Sequence, residues 1–368
     1  MSNQGFQKFK MHERKDDAMR INLCNIGKLE NAEVVIDGIT VIAGENNTGK
    51  STVNKALYAM LDTFYLIQNQ LGVLLSSENA LSDETIIQEI RNVSDDENIR
   101  SILTNKLHAE FNGQICNVFT DKNGTTALSV GENNIIAVVH DNRVEEIAVN
   151  GLSLLKEAVY IDDPFVLDND TDSQRCVDHR MDLHRKLRKS GKDNRVADEI
   201  MAWKTFDQII SSVWDGDMII NQRGEAVYHR SDDGKSLDIR NLSSGLKTFV
   251  VLKTLFENGV IENKGTIILD EPEIHLHPEW QLKFAEFIVL MQKQFDMHIL
   301  LNTHSPYFLR ALQVFAGKYG VAERCRYYLA ESNGESAQIN EVSDNIERIY
   351  KKLYRPLQEL ENIEWNDD

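Results

Sequence analysis

The chain has 368 residues, of which 42% are hydrophobic, and it carries a formal net charge of −18 at pH 7. This length is sufficient for one large domain with an inserted lobe or for two small domains. The acidic charge argues against a protein whose whole surface binds nucleic acid. No run of eighteen apolar residues predicts a membrane span, and residues 1–10 are too polar for a signal peptide. We therefore expect a cytoplasmic protein with no membrane partner.

The cysteines are scattered and lack the paired spacing that is typical of zinc ligands. There are four of them: Cys24, Cys116, Cys176 and Cys325. Isolated cysteines are typical of a reducing compartment. We expect free thiols, with neither a disulfide nor a zinc site.

The first predicted elements are short strands in residues 20–43, with a turn at Asp37–Gly38. The next eight residues, GENNTGKS from Gly44 to Ser51, fit the pattern G-x-x-x-x-G-K-[ST] and precede a helix-forming stretch, 52–61. A glycine-rich loop between a strand and a helix can turn its backbone N–H groups onto phosphates. A chance turn is the weaker alternative. The candidate nucleotide-binding residues are Gly44, Asn46, Asn47, Thr48, Gly49, Lys50, Ser51 and Thr52. Lys50 would reach the terminal phosphates and Ser51 would ligate Mg²⁺, so the cofactors are ATP and Mg²⁺.

The segment after this helix is predicted to be an α+β insertion. Residues 65–112 look mainly helical. Four strands follow at 115–120, 125–130, 134–140 and 143–149, around turns at Asn123–Gly124 and Asp141–Asn142. The insertion shows no sustained heptads, so a long coiled-coil arm is not expected.

Residues 157–161 predict a strand that returns to the first domain, and Asp162–Asp163 follow it. Residues 175–215 predict a helical lobe, and strands are expected near 217–230. Within the lobe, residues 179–195 carry seven Lys or Arg residues and two Asp residues. A solvated helix face is the favoured interpretation of this basic run, and a contact with DNA, RNA or an acidic partner is the alternative.

Three further motifs follow in a fixed order. They are NLSSGLK at 241–247, TIILDEPEIHLHP at 266–278 and HILLNTHSP at 298–306. Asp270 ends an apolar strand, which is a common place for a carboxylate that holds Mg²⁺. Glu271 comes directly after it and is a candidate general base. His304 follows a second apolar strand.

The motif order resembles the head of ABC-type ATPases, with Walker A, signature, Walker B, D-loop and switch histidine. LDEPEIHLHP followed by THSP looks like the RecF/OLD/SMC-like branch, which includes overcoming-lysogenisation nucleases and ATPase subunits of bacterial anti-phage systems such as Septu and PARIS. The resemblance covers about residues 20–60 and 155–330. The signature departs from the family pattern at Ser244, where a second Gly is usual, and at Leu246, where Gln is frequent.

This resemblance implies an α/β fold: a P-loop NTPase of the ABC-ATPase head type, with a mixed β-sheet core, an inserted α+β segment and a helical lobe. It implies head segments at 1–64, 156–175 and 241–342, the insertion at 65–155, the lobe with its connecting strands at 176–240, and a C-terminal helix at 343–368. Pro356 is expected to kink that last helix or start a new one.

The resemblance also assigns roles to single residues. Glu271 would be the general base, and His304 would contact both this base and the γ-phosphate. Ser243, Ser244 and Gly245 would bind the nucleotide of a second head. Asp162 or Asp163 would replace the glutamine loop. A metal site at His275 and His277 is the alternative to D-loop contacts across a dimer, which we favour.

The implied function is a dimerising ATP switch. Two heads would enclose ATP as a homodimer, with a higher oligomer left open. Residues 305–368 are too few for a TOPRIM nuclease, so a nuclease or toxin effector would be a separate protein, and DNA or a phage component stays open as a ligand. The leading hypothesis is the ATPase subunit of a bacterial anti-phage defence complex. The alternatives are a RecF-like DNA repair ATPase and an ATP-stabilised scaffold with little turnover.

Overall fold

A computed structural model gives the fold. It describes residues 18–76, 96–120, 122–151, 155–168, 178–189, 208–212, 216–220, 226–230 and 234–366. Among these residues, no helix combines the length and the apolar character that crossing a membrane requires.

Strands and helices alternate along most of the chain. The strands are β1 (Met19–Ile26), β2 (Leu29–Ile36), β3 (Ile39–Gly44), β4 (Asn123–Val130), β5 (Asn133–His140), β6 (Arg143–Asn150), β7 (Val159–Ile161), β8 (Gly216–Ile220), β9 (Ala226–Arg230), β10 (Ser236–Asp238), β11 (Thr266–Asp270), β12 (His298–Thr303), β13 (Cys325–Asn333) and β14 (Ser336–Glu341). The α-helices include α1 (Lys50–Ser76), α2 (Asp96–Phe111), α3 (His179–Leu187), α4 (Ser244–Glu257), α5 (Pro278–Phe295), α6 (Pro306–Tyr319), α7 (Glu347–Leu353) and α8 (Arg355–Asn366).

The main sheet has eleven strands in the order β6-β5-β4-β1-β2-β14-β13-β3-β12-β11-β7. The five strands from β13 to β7 are parallel, and β14 also pairs with β2 in parallel. The other pairs are antiparallel, and β8 to β10 form a small separate sheet. The predicted α/β P-loop fold with a mixed sheet is confirmed.

The central parallel strands are buried on both faces, which explains their nearly continuous apolar sequences. Every residue of β3 and β12 is buried. Val41 and Ala43 of β3 face a core shared with α4, α5 and α6, whereas Ile42 faces a core shared with α1 and α2. Helices on both faces therefore hold β3, and with it the loop that follows β3, in a fixed position.

The strands of the insertion extend the main sheet, because β4 pairs with β1 along residues 125–130. The prediction of a strand at 115–120 is wrong. The N–H groups of Ile115 and Cys116 donate to the side-chain oxygen of Asn142, 2.8 Å away in each case, and only one bridge joins Cys116 to Ile26. In this segment, hydrogen bonds to a side chain thus replace the backbone hydrogen bonds of a regular β-ladder.

The two predicted hairpin turns of the insertion have opposite outcomes. Asp141 and Asn142 form a turn with φ of 45° and 65°, which confirms the prediction. Asn123 and Gly124 instead begin β4. A Cβ at Gly124 would lie 2.8 Å from the Asn25 carbonyl oxygen, so glycine is needed here for close approach to β1.

At the C-terminal end, α7 ends at Leu353 and α8 begins at Arg355. Pro356 is the second residue of α8, where its missing N–H leaves no helical hydrogen bond unmade. The expected new start of the helix is confirmed. Cys24, Cys116 and Cys325 are free thiols, and Cys176 lies outside the described residues.

Candidate nucleotide-binding site

The glycine-rich loop connects β3 directly to α1, as its sequence pattern predicts. Asn47 and Gly49 have φ of 63° and 79°, in the left-handed region. A Cβ on Gly49 would lie 2.6 Å from Leu29 Cδ2, and a Cβ on Gly44 would lie 2.5 Å from the Ala330 carbonyl oxygen. Both glycines are therefore required by close packing on the neighbouring strands.

The loop borders a cavity of about 460 Å³, within the size range of small-molecule sites. The predicted residues that line it are Asn46, Asn47, Gly49, Lys50, Ser51, Thr52, Asp270 and Glu271. Lys28, Asp162 and Ile274 line it as well. Gly44 and Thr48 shape the loop instead, and the Thr48 hydroxyl donates to the Glu45 carbonyl oxygen at 2.7 Å. The structure thus brings two distant sequence motifs to one cavity.

Lys50 is the buried cation of the site, with only 5% of its side chain exposed. Its Nζ donates to the carbonyl oxygens of Gly44 at 3.0 Å and of Glu45 at 2.9 Å. The same Nζ lies 3.3 Å from Glu271 Oε1. The ammonium group is therefore held at the loop and beside the candidate base.

The two consecutive acids at the end of β11 have different surroundings. Asp270 Oδ1 accepts a hydrogen bond from Asn302 Nδ2 at 3.0 Å, and its Oδ2 accepts one from the Tyr160 hydroxyl at 3.2 Å. Glu271 has a φ of 47°, a conformation that is costly for a residue with a side chain. This turn separates the Glu271 carboxylate from the fixed carboxylate of Asp270.

His304 completes this group, because its Nδ1 lies 3.2 Å from Glu271 Oε1. Contact with His304, together with Lys50, holds the pKa of Glu271 below its usual value although burial would raise it. The same contact raises the pKa of His304. Glu271 is therefore ionised at neutral pH and can accept a proton from water.

Glu273 belongs to the same motif but was not among the predicted site residues. Burial raises the pKa of this carboxyl group, and one of its oxygens accepts a hydrogen bond from the Thr303 hydroxyl. Thr303 Oγ1 in turn accepts the Ser305 N–H at 3.0 Å, and Ser305 caps α6. Glu273 thus holds the segment that carries His304.

The signature residues do not line this cavity. Ser243 is the exposed N-cap residue of α4 and makes no side-chain capping bond. Ser244 is the first residue of the helix. A Cβ on Gly245 would lie 2.7 Å from the His275 carbonyl oxygen, so this glycine allows α4 to pack against the loop after β11. Their contact with the nucleotide of a second head stays a prediction.

His275 and His277 are both exposed and are engaged locally. The ring of His275 packs edge-on against Phe165, with centroids 5.5 Å apart, and His277 Nδ1 accepts the N–H of Glu279 at the start of α5. Within the part of the chain that the structure describes, no cluster of three His, Cys, Asp or Glu residues could hold a metal ion. Mg²⁺ at a phosphate site needs fewer protein ligands, because phosphates and water supply the rest. Ser51 and Asp270 fit that requirement.

Asp162 and Asp163 have separate positions. Asp162 lines the cavity, whereas Asp163 accepts the Phe165 N–H at 2.8 Å. Asp162 Oδ2 lies 3.1 Å from His179 Nε2 and 2.6 Å from Arg180 Nη2. These contacts lower the pKa of Asp162 to about 2, against the effect of burial. The candidate replacement for the glutamine loop is thus an ionised carboxylate fixed by α3.

The basic run folds onto the protein over residues 180–189. Arg185 and Lys186 pair with Asp182, and Lys189 Nζ lies 2.6 Å from Glu157 Oε2. Lys186 is buried, so this part of the run is not a simple solvated face. Residues 190–195 lie outside the described residues, and nucleic-acid binding by the run stays untested.

We predict a pH-dependent stability effect at His179. Burial would lower the pKa of this side chain, but Asp162 and Glu110 raise it to about 9. A histidine whose pKa is higher in the folded state contributes its full stabilisation below its unfolded-state pKa of about 6.5. This contribution is lost as the pH rises through about 9. His179→Gln should therefore lower the free energy of urea unfolding more at pH 6 than above pH 9. The same substitution at partly exposed His140 is the control, and a pH-independent difference at His179 would contradict the prediction.

A family model described as "AAA domain, putative AbiEii toxin, Type IV TA system" matches residues 135–310. The "Retron Vc95 probable ATPase" of Vibrio cholerae serotype O1 biovar El Tor is 32% identical over 88 residues, which cover 21% of this chain and 16% of that relative. The match thus spans less than a fifth of the curated relative.

The solved structures that are similar include three SMC heads. The SMC head domain from Thermotoga maritima has a TM-score of 0.45 at 13% identity and covers 89% of this chain and 99% of its own. The SmcHead bound to the C-winged helix domain of ScpA has a TM-score of 0.48 at 14% identity, covering 89% and 97%. An Smc head with an extended coiled coil, bound to the C-terminal domain of ScpA derived from Pyrococcus furiosus, has a TM-score of 0.47 at 12% identity, covering 94% and 98%.

The family match contains the signature, Asp270–Glu271 and His304, but it does not include the glycine-rich loop at residues 44–51. The case for that loop comes from its sequence pattern and its geometry. The family model and the curated relative both point to an ATPase, and the family model matches the central part of this chain.

Proposed function

We propose that the protein binds ATP with Mg²⁺ and hydrolyses it. One observation carries this proposal: Lys50, Glu271 and His304 meet within 3.3 Å contacts beside the cavity that the glycine-rich loop borders. Phosphoryl transfer requires positioned charge more than covalent chemistry. A buried lysine, an ionised carboxylate and a histidine at one phosphate cradle provide that charge.

Each residue has a distinct part in this proposal. When ATP binds, the Lys50 ammonium group moves from Glu271 and from the carbonyls of Gly44 and Glu45 to the terminal phosphates. Glu271 then accepts a proton from the attacking water, and His304 holds the Glu271 carboxylate in place. Ser51 and Asp270 would hold Mg²⁺, which neutralises phosphate charge when it is bound.

We further infer that two copies complete the site. Ser243 lies at the start of α4, where backbone N–H groups have no helical partners and favour an anion. These groups do not face the cavity of their own chain. A head-to-tail pair would bring the α4 of each copy to the nucleotide of the other, so ATP would close the pair and hydrolysis would loosen it.

The proposed biological role is a switch subunit in an anti-phage defence complex. The family description names a toxin and a toxin–antitoxin system, and the curated relative is a retron ATPase; both support such a role. The switch would control a separate nuclease or toxin. DNA or a phage component is the candidate trigger of this switch.

Nucleotide binding is tested by Lys50→Ala. The variant loses a charge-assisted contact, so we expect its affinity for a fluorescent ATP analogue to fall by about 10- to 150-fold. Lys55→Ala is the matched control, because Lys55 lies one turn later on α1 and does not line the cavity. Wild-type binding by Lys50→Ala would refute the phosphate cradle.

Phosphate release by the wild type should also require Mg²⁺.

A further inference from the structure

His179, the first residue of α3, joins two carboxylates that come from distant parts of the chain. Its Nδ1 lies 2.7 Å from Glu110 Oε2, and its backbone N–H donates to Glu110 Oε1 at 2.8 Å. Its Nε2 lies 3.1 Å from Asp162 Oδ2. Although burial would lower the pKa of His179, these carboxylates on two sides of the ring raise it to about 9, so the imidazole is a cation at neutral pH. One buried cation therefore bridges the end of α2 and the edge of the nucleotide cavity.

His179 also supports the residues on the nucleotide side. Its ring stacks on Tyr160, with centroids 4.0 Å apart and planes at 23°. The Tyr160 hydroxyl donates to Asp270. Asp162 lines the cavity, and its Oδ1 is buried without a hydrogen-bond partner in the structure. Moving His179 would thus shift two of the three acids that line the cavity, Asp162 through a charge contact and Asp270 through Tyr160.

Glu110 lies on the other side of His179 and has no direct access to the cavity. It is the penultimate residue of α2, it is buried, and it is not among the residues that line the cavity. Both of its recorded hydrogen bonds come from His179. Separating a buried charge from its partner strongly destabilises the protein. We therefore expect His179 and Glu110 to move together.

We propose that His179 is a positioning residue that couples α2 to the nucleotide site. Glu110 fixes the position of the imidazole, and the imidazole fixes the positions of Asp162 and Tyr160. This inference rests on the proposed nucleotide-binding function. Because coupling between two sites is reciprocal, a bound nucleotide should also change how firmly α2 is held. The insertion would then report whether the cavity is filled.

The test replaces a residue that cannot touch the nucleotide. Glu110→Gln keeps the shape of the side chain but removes its charge. We expect Mg²⁺·ATP to bind this variant about tenfold more weakly, which corresponds to about 1.4 kcal/mol. Affinity is measured by titration with a fluorescent ATP analogue, well below the unfolding temperature of each variant. Glu110→Asp, which keeps the charge but shortens the reach, is the second variant if Glu110→Gln does not fold.

Lys106→Gln is the matched control, since it breaks another buried ion pair of α2. Lys106 pairs with Asp62 of α1 and lies one turn before Glu110 on α2. This variant should lose stability while its affinity for Mg²⁺·ATP stays within about twofold of wild type. A loss of affinity equal to that of Glu110→Gln would show general destabilisation and overturn the inference.

A double substitution tests the route through the imidazole. His179→Gln should weaken binding by about tenfold, and adding Glu110→Gln to it should cause no further loss, because residues that act through one contact are not additive. Fully additive effects would overturn the route. If the wild type binds no nucleotide, the proposed function and this inference fail together. If wild type and Lys106→Gln bind but Glu110→Gln binds equally well, only the inference fails.

Discussion

Replacing Glu271 with Gln should lower the rate of ATP hydrolysis by about 10²- to 10⁴-fold, the usual contribution of a positioned general base. The amide keeps the size of the side chain but cannot accept the proton of the attacking water. ATP should stay bound, because Lys50 and the glycine-rich loop are unchanged. Rapid-quench measurement of turnover, combined with titration of ATP, separates the two quantities.

Glu273→Gln is the matched control for this experiment. Glu273 is two residues away in the same motif, but it contacts the Thr303 hydroxyl and is not among the residues that line the cavity. Glutamine can still accept the hydrogen bond of Thr303. Turnover by Glu273→Gln should therefore stay near the wild-type rate. Our assignment of the base is wrong if Glu271→Gln hydrolyses ATP as fast as this control.

Catalysis across a pair of heads should appear as complementation between two inactive variants. Lys50→Ala damages the phosphate cradle, and Ser243→Arg places a bulky cation at the start of α4. Each variant should be inactive alone. When the two are mixed, one interface of the heterodimer combines both defects and the other has neither. Statistical mixing should restore about a quarter of the wild-type ATPase rate, provided that one intact site can act alone.

Heterodimer formation must be measured in the same mixture, for example by pull-down through a tag on one variant. A mixture that forms heterodimers and stays inactive would contradict either the contribution of Ser243 in trans or independent action of the two sites. Crosslinking of a cysteine at position 243 to one in the partner's glycine-rich loop separates these explanations. A Lys50→Ala and Glu271→Gln mixture is the control. Both residues would serve the nucleotide of their own chain, so each interface of this heterodimer keeps one defect and the mixture should stay inactive.

The residues of the candidate site could be predicted from the sequence because each follows the carboxyl end of a parallel strand. The glycine-rich loop follows β3, Asp270 and Glu271 end β11, and His304 follows β12. These strands are neighbours in the order β3-β12-β11, so their carboxyl ends share one edge. Apolar strands that end in polar motifs were sufficient to indicate this arrangement.

The contacts of Glu110, His179 and Asp162 could not be predicted in the same way. Glu110 and His179 are 69 residues apart, and neither lies in a motif with a known chemistry. Their pairing depends on how α2 and α3 pack, which periodicity does not specify. A hydrophilic residue on an apolar helix face was the available signal, since Glu110 follows Ile99, Leu103 and Leu107 on the buried side of α2.

The position of β3 in the sheet has a consequence for the synthesis of the protein. β3 ends at residue 44, yet it pairs on one side with β12 and on the other with β13, whose last residue is Asn333. Such long-range pairing makes folding slow, because distant segments must meet before either is stabilised. A chain still on the ribosome cannot complete both of these pairs until Ala330, the partner of Gly44, has emerged. The glycine-rich loop is thus synthesised long before β12 and β13, the two strands that flank β3. In incomplete chains that lack these strands, we expect the loop to be unfolded.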